Sequence, residues 1–481
     1  MMTLNFKDYN LSDEILKAID RLNYTSPTEV QQKVIPIALK GRDVVVKSQT
    51  GSGKTASFAI PICDKVDWEE NKPQALVVTP TRELAIQVRE EFFNIGRFKR
   101  LKVSEVYGQF SFRRQEKELK QKTHIVVGTP GRLIDHMERG TIDLSMIKYL
   151  VIDEADEMLN MGFIEQIEAI IEKLPKNRIT MLLSATIPKD IQNLCRSYMK
   201  DYEQIEIETQ NLTVDKIDQE RYSIDEEDKF EFLKDILVVE NPDRCMIFCN
   251  TKKMVDELCD NLYPWMKSCS KIHGGMEQQD RSSVMNDFRK GKFRHLIATD
   301  VAARGIDIDG ITHVINYDTP EDKEDYVHRI GRTARASKSG KSITFVTEND
   351  MKFIDVIQKY INKKIQPKEH PDKLTVDEGT DAFNEKNSTK LDMGPLKSEK
   401  VSEGIMKLHI NAGKKTKMRP VDIVGTLCNV DGMTAADIGI INIIDVSTFV
   451  EILNGKGEMV YNALQGRPIK GRVRRVSKCD E

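Results

Sequence analysis

The chain has 481 residues, room for three domains of ordinary size, and 39% of them are hydrophobic against 31% charged. That balance excludes a disordered chain and a membrane-embedded one, while a net charge of −3 leaves a nucleic-acid partner open, because a balanced total can hide a local basic stripe. Eight cysteines without a single C-x-x-C pair speak against a zinc site or a disulfide framework and for a reducing compartment.

In chain order, residues 1–8 lack the basic-then-apolar pattern of an export signal, and no long uncharged apolar run follows. The expected location is the cytoplasm. From about residue 40 to 208, short runs at 43–46, 75–78, 125–127, 150–152 and 180–183 alternate with helical patterns. They are apolar on both faces, as parallel strands covered by helices must be, so this half predicts an open α/β sheet. A second series at 245–248, 296–298, 314–315 and 343–346 repeats the pattern from about 216 to 363. Two such halves joined near 209–215 predict a ligand cleft between them. Residues 364–404, with Pro367, Pro371, Gly379, Gly394 and Pro395 among many charged residues, predict a linker with some local structure. Beyond it, strands are expected at 406–410, 438–443, 448–452 and 469–476, with helices near 420–429 and 457–465. The order β-α-β-β-α-β is ferredoxin-like, an arrangement shared by many RNA-binding modules. The expected domains are therefore 1–208, 216–363 and 405–481.

Chemistry concentrates at the strand ends. After the first strand comes Ser48-Gln49-Thr50-Gly51-Ser52-Gly53-Lys54-Thr55. Gly51 and Gly53 allow a tight turn that brings backbone N–H groups against phosphate oxygens; Lys54 reaches the β- and γ-phosphates, and Thr55 offers a hydroxyl to Mg²⁺. Ser48 replaces the first glycine of the usual pattern, so alone the segment also reads as a glycine-rich strand-to-helix turn. Asp153-Glu154-Ala155-Asp156 follows the apolar run Leu150-Val151-Ile152 and alone also reads as an acidic helix start. Together the two segments predict a nucleoside triphosphate gripped with its magnesium. Asp153 then holds Mg²⁺ largely through water, and Glu154 orients or deprotonates the attacking water. In His328-Arg329-Ile330-Gly331-Arg332-Thr333-Ala334-Arg335, Arg332 and Arg335 lie three apart and are expected on one face of a helix. They are arginine-finger candidates, or else part of a solvated basic face.

In these residues the chain resembles the DEAD-box family of ATP-dependent RNA helicases over residues 1–363. The tetrad at 153–156 gives that family its name, and the phosphate loop is similar to its A-x-T-G-x-G-K-T with Ser48 in place of Ala. Pro27-Thr28-Glu29-Val30-Gln31 looks like the Q motif, with Phe6 as its aromatic partner and Tyr24 just before it. A glutamine amide can pair with both N6 and N7 of adenine, which would select ATP. The resemblance implies two RecA-like domains and RNA-backbone contacts at Thr81, Arg82, Gly108, Thr129, Gly131, Arg132, Arg281 and Thr299. It implies a ribose contact at Asp307, and coupling of hydrolysis to domain closure through Ser184, Thr186 and His328. Two departures stand out. Gln109 and Ala334 occupy positions where the family usually has glycine, and Ala334 is expected to add only a methyl group.

Residues 401–481 carry a net +3, clustered at Lys414, Lys415, Lys417 and Arg419 and at Lys470, Arg472, Arg474, Arg475 and Lys478. These are candidate RNA contacts, or a solvated face and a charge-protected edge strand. The third strand of this module offers only Phe449 as an aromatic, so RNA is expected at basic loops and edges rather than on the sheet face. Residues 410–415 and 419–425 are similar to the C-terminal domain of the DbpA/YxiN subfamily of bacterial DEAD-box proteins. That resemblance implies 23S ribosomal RNA near hairpin 92 as target, and a role in large-subunit assembly. The expected protein is a monomeric RNA-stimulated ATPase that unwinds RNA, needs ATP and Mg²⁺, and has no obligate protein partner. An ATP-gated RNA clamp without unwinding is the alternative.

Overall fold

The computed structural model describes residues 5–48, 51–207, 216–303, 308, 310–334, 339–391 and 397–479. Compact packing divides the chain into two units. One comprises residues 1–47, 53–206 and 395–481, and the other residues 48–52 and 207–394.

In the first unit, strands β1 (Val44–Lys47), β2 (Ala75–Val78), β3 (Val103–Val106), β4 (Ile125–Gly128), β5 (Tyr149–Ile152), β6 (Ile179–Ser184) and β7 (Glu203–Glu206) form one sheet in the order β3-β4-β2-β5-β6-β1-β7. Every pairing is parallel. Strands β2, β4 and β5 are buried along their whole length, as a sheet covered by helices on both faces requires. The second unit repeats the design. Strands β8 (Ile217–Ser223), β9 (Cys245–Phe248), β10 (Cys269–Ile272), β11 (His295–Ala298), β12 (His313–Asn316), β13 (Gly340–Val346) and β14 (Gln366–Pro367) run in the order β10-β11-β9-β12-β13-β8-β14. Strand for strand, this is the order of the first sheet, and again all pairings are parallel.

The strands that the sequence pattern does not reveal are β3, β7, β8, β10 and β14. Four of them are sheet edges, where one flank lacks a neighbour, and β8 alternates buried and exposed residues instead of forming an apolar run. Within 364–404, a 16-residue helix spans Lys373–Ser388 and packs into the second unit. Phe383 is buried and stacks on Trp265 at 5.1 Å, while Gly379 lets the helix lie against Val238, whose side chain would stand 3.1 Å from any Cβ there. Asp372 caps its start by accepting from the Thr375 amide.

The C-terminal sheet, β15 (Met406–Ile410), β16 (Ile438–Ile443), β17 (Thr448–Ile452) and β20 (Val476–Lys478), is antiparallel in the order β16-β17-β15-β20. Helices Pro420–Cys428 and Gly457–Leu464 complete the expected β-α-β-β-α-β order. The expected strand at 469–476 is corrected. Lys470 and Gly471 both adopt positive φ (52° and 74°), which folds β18 (Pro468–Ile469) against β19 (Arg472–Val473) as a hairpin; only from Val476 does the chain pair with β15. Arg472 thus sits on the hairpin and Arg474 in the connection that follows it.

Candidate active site and RNA interface

In the first unit the motif residues gather at the C-terminal ends of parallel strands, where open α/β sheets hold ligands. The tetrad follows β5 and the Ser184-Ala185-Thr186 segment begins at the end of β6. The phosphate loop follows β1. Its Gly51 and Gly53 have φ of 80° and 91°, a backbone region closed to most side chains, and Gly53 opens the helix Lys54–Lys65. Gln49 and Thr50 lie outside the described residues; the Ser48 and Ser52 hydroxyls stand 3.2 Å apart.

Gln31, 5% exposed, braces this turn. Its Oε1 accepts from the Thr28 amide at 3.0 Å and its Nε2 donates to the Gly53 carbonyl at 3.2 Å. A Cβ on Gly53 would lie 2.7 Å from that same nitrogen and would displace it, on a backbone whose φ already favours glycine. Phe6 is buried beside Tyr24, their ring centroids 6.5 Å apart.

Asp153 is buried, and burial raises its carboxyl above the ordinary range while the nearby Lys54 ammonium works against that rise. Its Oδ1 accepts from the Glu154 amide at 3.0 Å. Glu154 has φ 53°, the strained turn at which the chain leaves the strand and enters the short helix Ala155–Asn160. The buried Asp153 carboxylate, its charge only partly offset by the Lys54 ammonium, and the Thr55 hydroxyl on the neighbouring helix start offer hard oxygens. They fit a small divalent cation that keeps most of its water. Asp156 has a different task. Its Oδ2 accepts from the Ala185 amide (3.0 Å), the Thr186 amide (2.7 Å) and the Thr186 hydroxyl (3.1 Å), and its own amide donates to Ser184 Oγ. The last residue of the tetrad therefore clamps the loop after β6, a role the sequence reading did not assign to it.

The RNA-motif residues of this unit are held from within. Thr81 caps the helix Arg82–Ile95 by accepting from the Leu84 amide. Arg82 donates to Gln109 Oε1 at 2.6 Å, beside Gly108. Gln109 itself has φ 56°, a conformation that favours glycine. Thr129 precedes the helix Pro130–Glu138, which contains the exposed Gly131. Arg132 donates to the Phe110 carbonyl at 3.0 Å and to Gln115 at 2.8 Å.

In the second unit, the expectation that Arg332 projects from a helix is corrected. The helix Lys323–Ile330, which carries His328, ends before Gly331, and Arg332 and Thr333 continue in turns with amide bonds to Arg329 and Ile330. Ala334 then takes φ 56°, so its methyl group sits on a left-handed backbone and costs strain. Arg332 is buried and donates from Nε to the His328 carbonyl at 3.1 Å. Arg335 and Asp307 lie outside the described residues. The hub of this motif is Arg329, which sequence reasoning passed over. It is 2% exposed and donates to both carboxylate oxygens of Asp300 (2.6 and 2.7 Å), to the Asp318 carbonyl and to Asn250. Asp300 directly follows Thr299, which like Arg281 is buried. The arginine–aspartate fork thus fixes the loop carrying Thr299.

In the C-terminal module Lys414, Lys415 and Lys417 are exposed on a short turn that is tied to Ile444 and Asp445 by backbone bonds. Arg419 and Lys470 both pair with Asp422, whose carboxyl is held down at about 2 by the hydrogen bond from Lys470 first and by those from Arg419. Arg472 is exposed and Arg474 half-buried.

Two sheets of one strand order, each with its motifs at strand ends, define a two-domain nucleotide-dependent motor. The DEAD/DEAH box helicase family matches residues 28–194 and the helicase conserved C-terminal domain matches residues 228–337. Saccharomyces cerevisiae Dbp5 bound to RNA and ADP BeF3 is similar with a TM-score of 0.70 and 31% identity, over 80% of this chain and 99% of that one. Mss116p bound to ssRNA and AMP-PNP is similar at 0.69 and 30%, over 80% and 82%. The chain belongs to the DEAD-box family of ATP-dependent RNA helicases and is an ATP-hydrolysing enzyme. Its likeness extends further, since it is 54% identical over 477 residues to the ATP-dependent RNA helicase DbpA of Bacillus subtilis, covering 99% of this chain and 100% of that protein. Residues 407–478 match the DbpA RNA binding domain, which places the chain in the DbpA subfamily. No described helix is long and apolar enough to cross a membrane.

Proposed function

We propose that this helicase locally unwinds RNA during assembly of the large ribosomal subunit, directed by its C-terminal module to 23S ribosomal RNA around hairpin 92. The match of residues 407–478 to the DbpA RNA binding domain carries the reading, with the exposed Lys414, Lys415 and Lys417 as its physical counterpart. A compact basic turn attracts phosphate over long range, but selectivity needs a folded module to position it. The enzyme is assigned to the cytoplasm and acts as a monomer.

In this reading Ser48, Gln49, Thr50, Gly51, Ser52 and Gly53 wrap the phosphates, Lys54 neutralises their charge, and Gln31, Phe6, Tyr24 and Asp307 select and seat the nucleoside. Thr55 and Asp153 would hold Mg²⁺, which supplies charge neutralisation at the phosphate oxygens. Glu154 orients or deprotonates water, and Arg332 and Arg335 stabilise the charge of the transition state. Thr81, Arg82, Gly108, Thr129, Gly131, Arg132, Arg281 and Thr299 bind RNA backbone in any sequence; Ser184, Thr186 and His328 couple hydrolysis to closure. Lys414, Lys415, Lys417, Arg419, Arg472 and Arg474 give the target.

The test compares ATP hydrolysis stimulated by a 23S fragment containing hairpin 92 with that by unrelated RNA of equal length. Strong stimulation by the first alone is expected, and it should vanish when residues 405–481 are removed. Equal stimulation by both RNAs would defeat the targeting. Release of a labelled strand from a short duplex separates unwinding from clamping.

A further inference from the structure

In the first unit, the C-terminal part of the chain packs on the N-terminal helicase domain, and the hydrogen bonds that follow, between described residues, all run one way. The donors are four cations of the helicase domain, and the acceptors all belong to residues 402–454. Arg97 donates to Glu451 at 3.2 Å and to Ser402 Oγ at 2.8 Å. Lys17 donates to Asn454 Oδ1 at 3.2 Å, Arg21 to the Glu403 carbonyl at 3.5 Å, and Arg100 to the Ala435 carbonyl. Lys17 is exposed and Arg21 and Arg100 are half-buried, but the Arg97 and Glu451 side chains retain only 8% and 10% of their exposure. A dry ion pair ringed by wetter polar contacts is the anatomy of a specific interface.

The module is built to present that carboxylate. Along β17, Val450 and Ile452 enter the module's core, so Phe449 and Glu451 face the other way. Gly439 on β16 makes room, since a Cβ there would stand 2.9 Å from the Glu451 Cβ; the Ile440 amide donates to the second carboxylate oxygen at 3.4 Å. An acidic group laid flat on this face would repel RNA phosphate, and buried without a cation it would be costly. The Arg97 guanidinium, itself lying over the Phe93 ring at 5.3 Å, answers both points.

We propose that the outer face of the C-terminal sheet is a docking surface for this chain's own N-terminal helicase domain, anchored by Arg97–Glu451. The contact takes the Glu451 end of the face on which RNA-recognition sheets stack bases, while Lys407, opposite Glu451 on the same face, stays exposed, as do Lys414, Lys415 and Lys417, which are left to meet RNA.

The test is hydrogen exchange on the full-length protein, without ATP or RNA. R97E and E451R should each speed exchange about 10-fold or more in residues 92–101 and also in 438–452, and the double variant R97E/E451R should restore protection on both sides. E451Q, which keeps the shape and removes the charge, should loosen both segments if a reversed charge prevents folding. Unchanged exchange in the single variants, or loosening confined to the substituted domain, would overturn the proposal, because a docking contact must be felt on both partners.

Discussion

Gln31 donates from Nε2 to the carbonyl oxygen of Gly53 across 3.2 Å, so the glutamine that the sequence assigns to adenine is bonded to the residue just before Lys54. Its other end is engaged by the Thr28 amide. The side chain is therefore a brace of the phosphate loop, and any base contact has to be made with an amide already held in place. Gln31→Ala should raise the KM for ATP about 10-fold, as the loss of one or two hydrogen bonds at roughly 1 kcal/mol each implies. Gln31→Glu keeps the acceptor for Thr28 but sets a carboxylate oxygen against the Gly53 carbonyl and beside the phosphates, and should raise the KM at least as far. Steady-state ATPase kinetics decide, and an unchanged KM in Gln31→Ala would remove the brace from the mechanism.

Glu154 sits 8% exposed at the left-handed residue between β5 and its helix. Glu154→Gln preserves its size and should leave ATP and RNA affinity within about 2-fold, while turnover falls by about 10³ or more, the range of a lost general base. Equilibrium binding with a fluorescent nucleotide and multiple-turnover hydrolysis measure the two separately. Turnover surviving in the variant would pass the role to another group.

Ala334 and Gln109 both hold positive φ, 56° in each case. Ala334→Gly should relieve about 1 kcal/mol of backbone strain and raise the melting temperature of the second helicase domain by about 2–4 °C. Gln109→Gly relieves the same strain but loses the acceptor that Arg82 uses, so its gain should be smaller. Domain-resolved thermal unfolding compares them, and a destabilised Ala334→Gly would show that the methyl contacts outweigh the strain.

His124 and His295 are buried, and burial pushes both imidazoles down to about 4. In His124 both nitrogens are committed, Nδ1 accepting from the Lys102 amide and Nε2 donating to the Trp68 carbonyl, so a second ring proton has no place. In the unfolded chain these groups take up a proton near 6.5, while the folded chain resists until about 4. Unfolding therefore absorbs protons in that window. Stability is fully present above pH 6.5 and falls as pH drops towards 4, by up to about 1.4 kcal/mol per pH unit for each imidazole. Urea midpoints between pH 7.5 and 4.5 test this, and His124→Gln should flatten the slope of the first domain; a slope unchanged by that substitution would assign the acid sensitivity elsewhere.

Most of the parallel core was legible in the sequence because strands covered on both faces must be apolar throughout. Val44 to Val46, Ala75 to Val78 and Leu150 to Ile152 carry that signature. The edge strands were not legible. Glu203–Glu206 and Cys269–Ile272 cover one face only and read as ordinary polar sequence. The helix Lys373–Ser388 was hidden for a related reason, since a single buried phenylalanine and a close-packed glycine hold it without a continuous apolar stripe. The break at Lys470-Gly471 escaped notice because positive φ is a property of the fold, and lysine gives no local hint of it.

The sequence by itself determined the chemistry. The order and type of Lys54, Asp153, Glu154 and Arg332 sufficed to name a phosphate-handling motor, because such motifs are short, local and set by the atoms they must offer a triphosphate. Only the tertiary structure decided the supports, namely Gln31 on Gly53, Asp156 on Thr186, Arg329 on Asp300 and Arg97 on Glu451. Each joins residues between 22 and 354 positions apart. No local pattern announces such a pair, since a hydrogen bond depends on distance and direction in space, and those exist only once the sheets have closed their register.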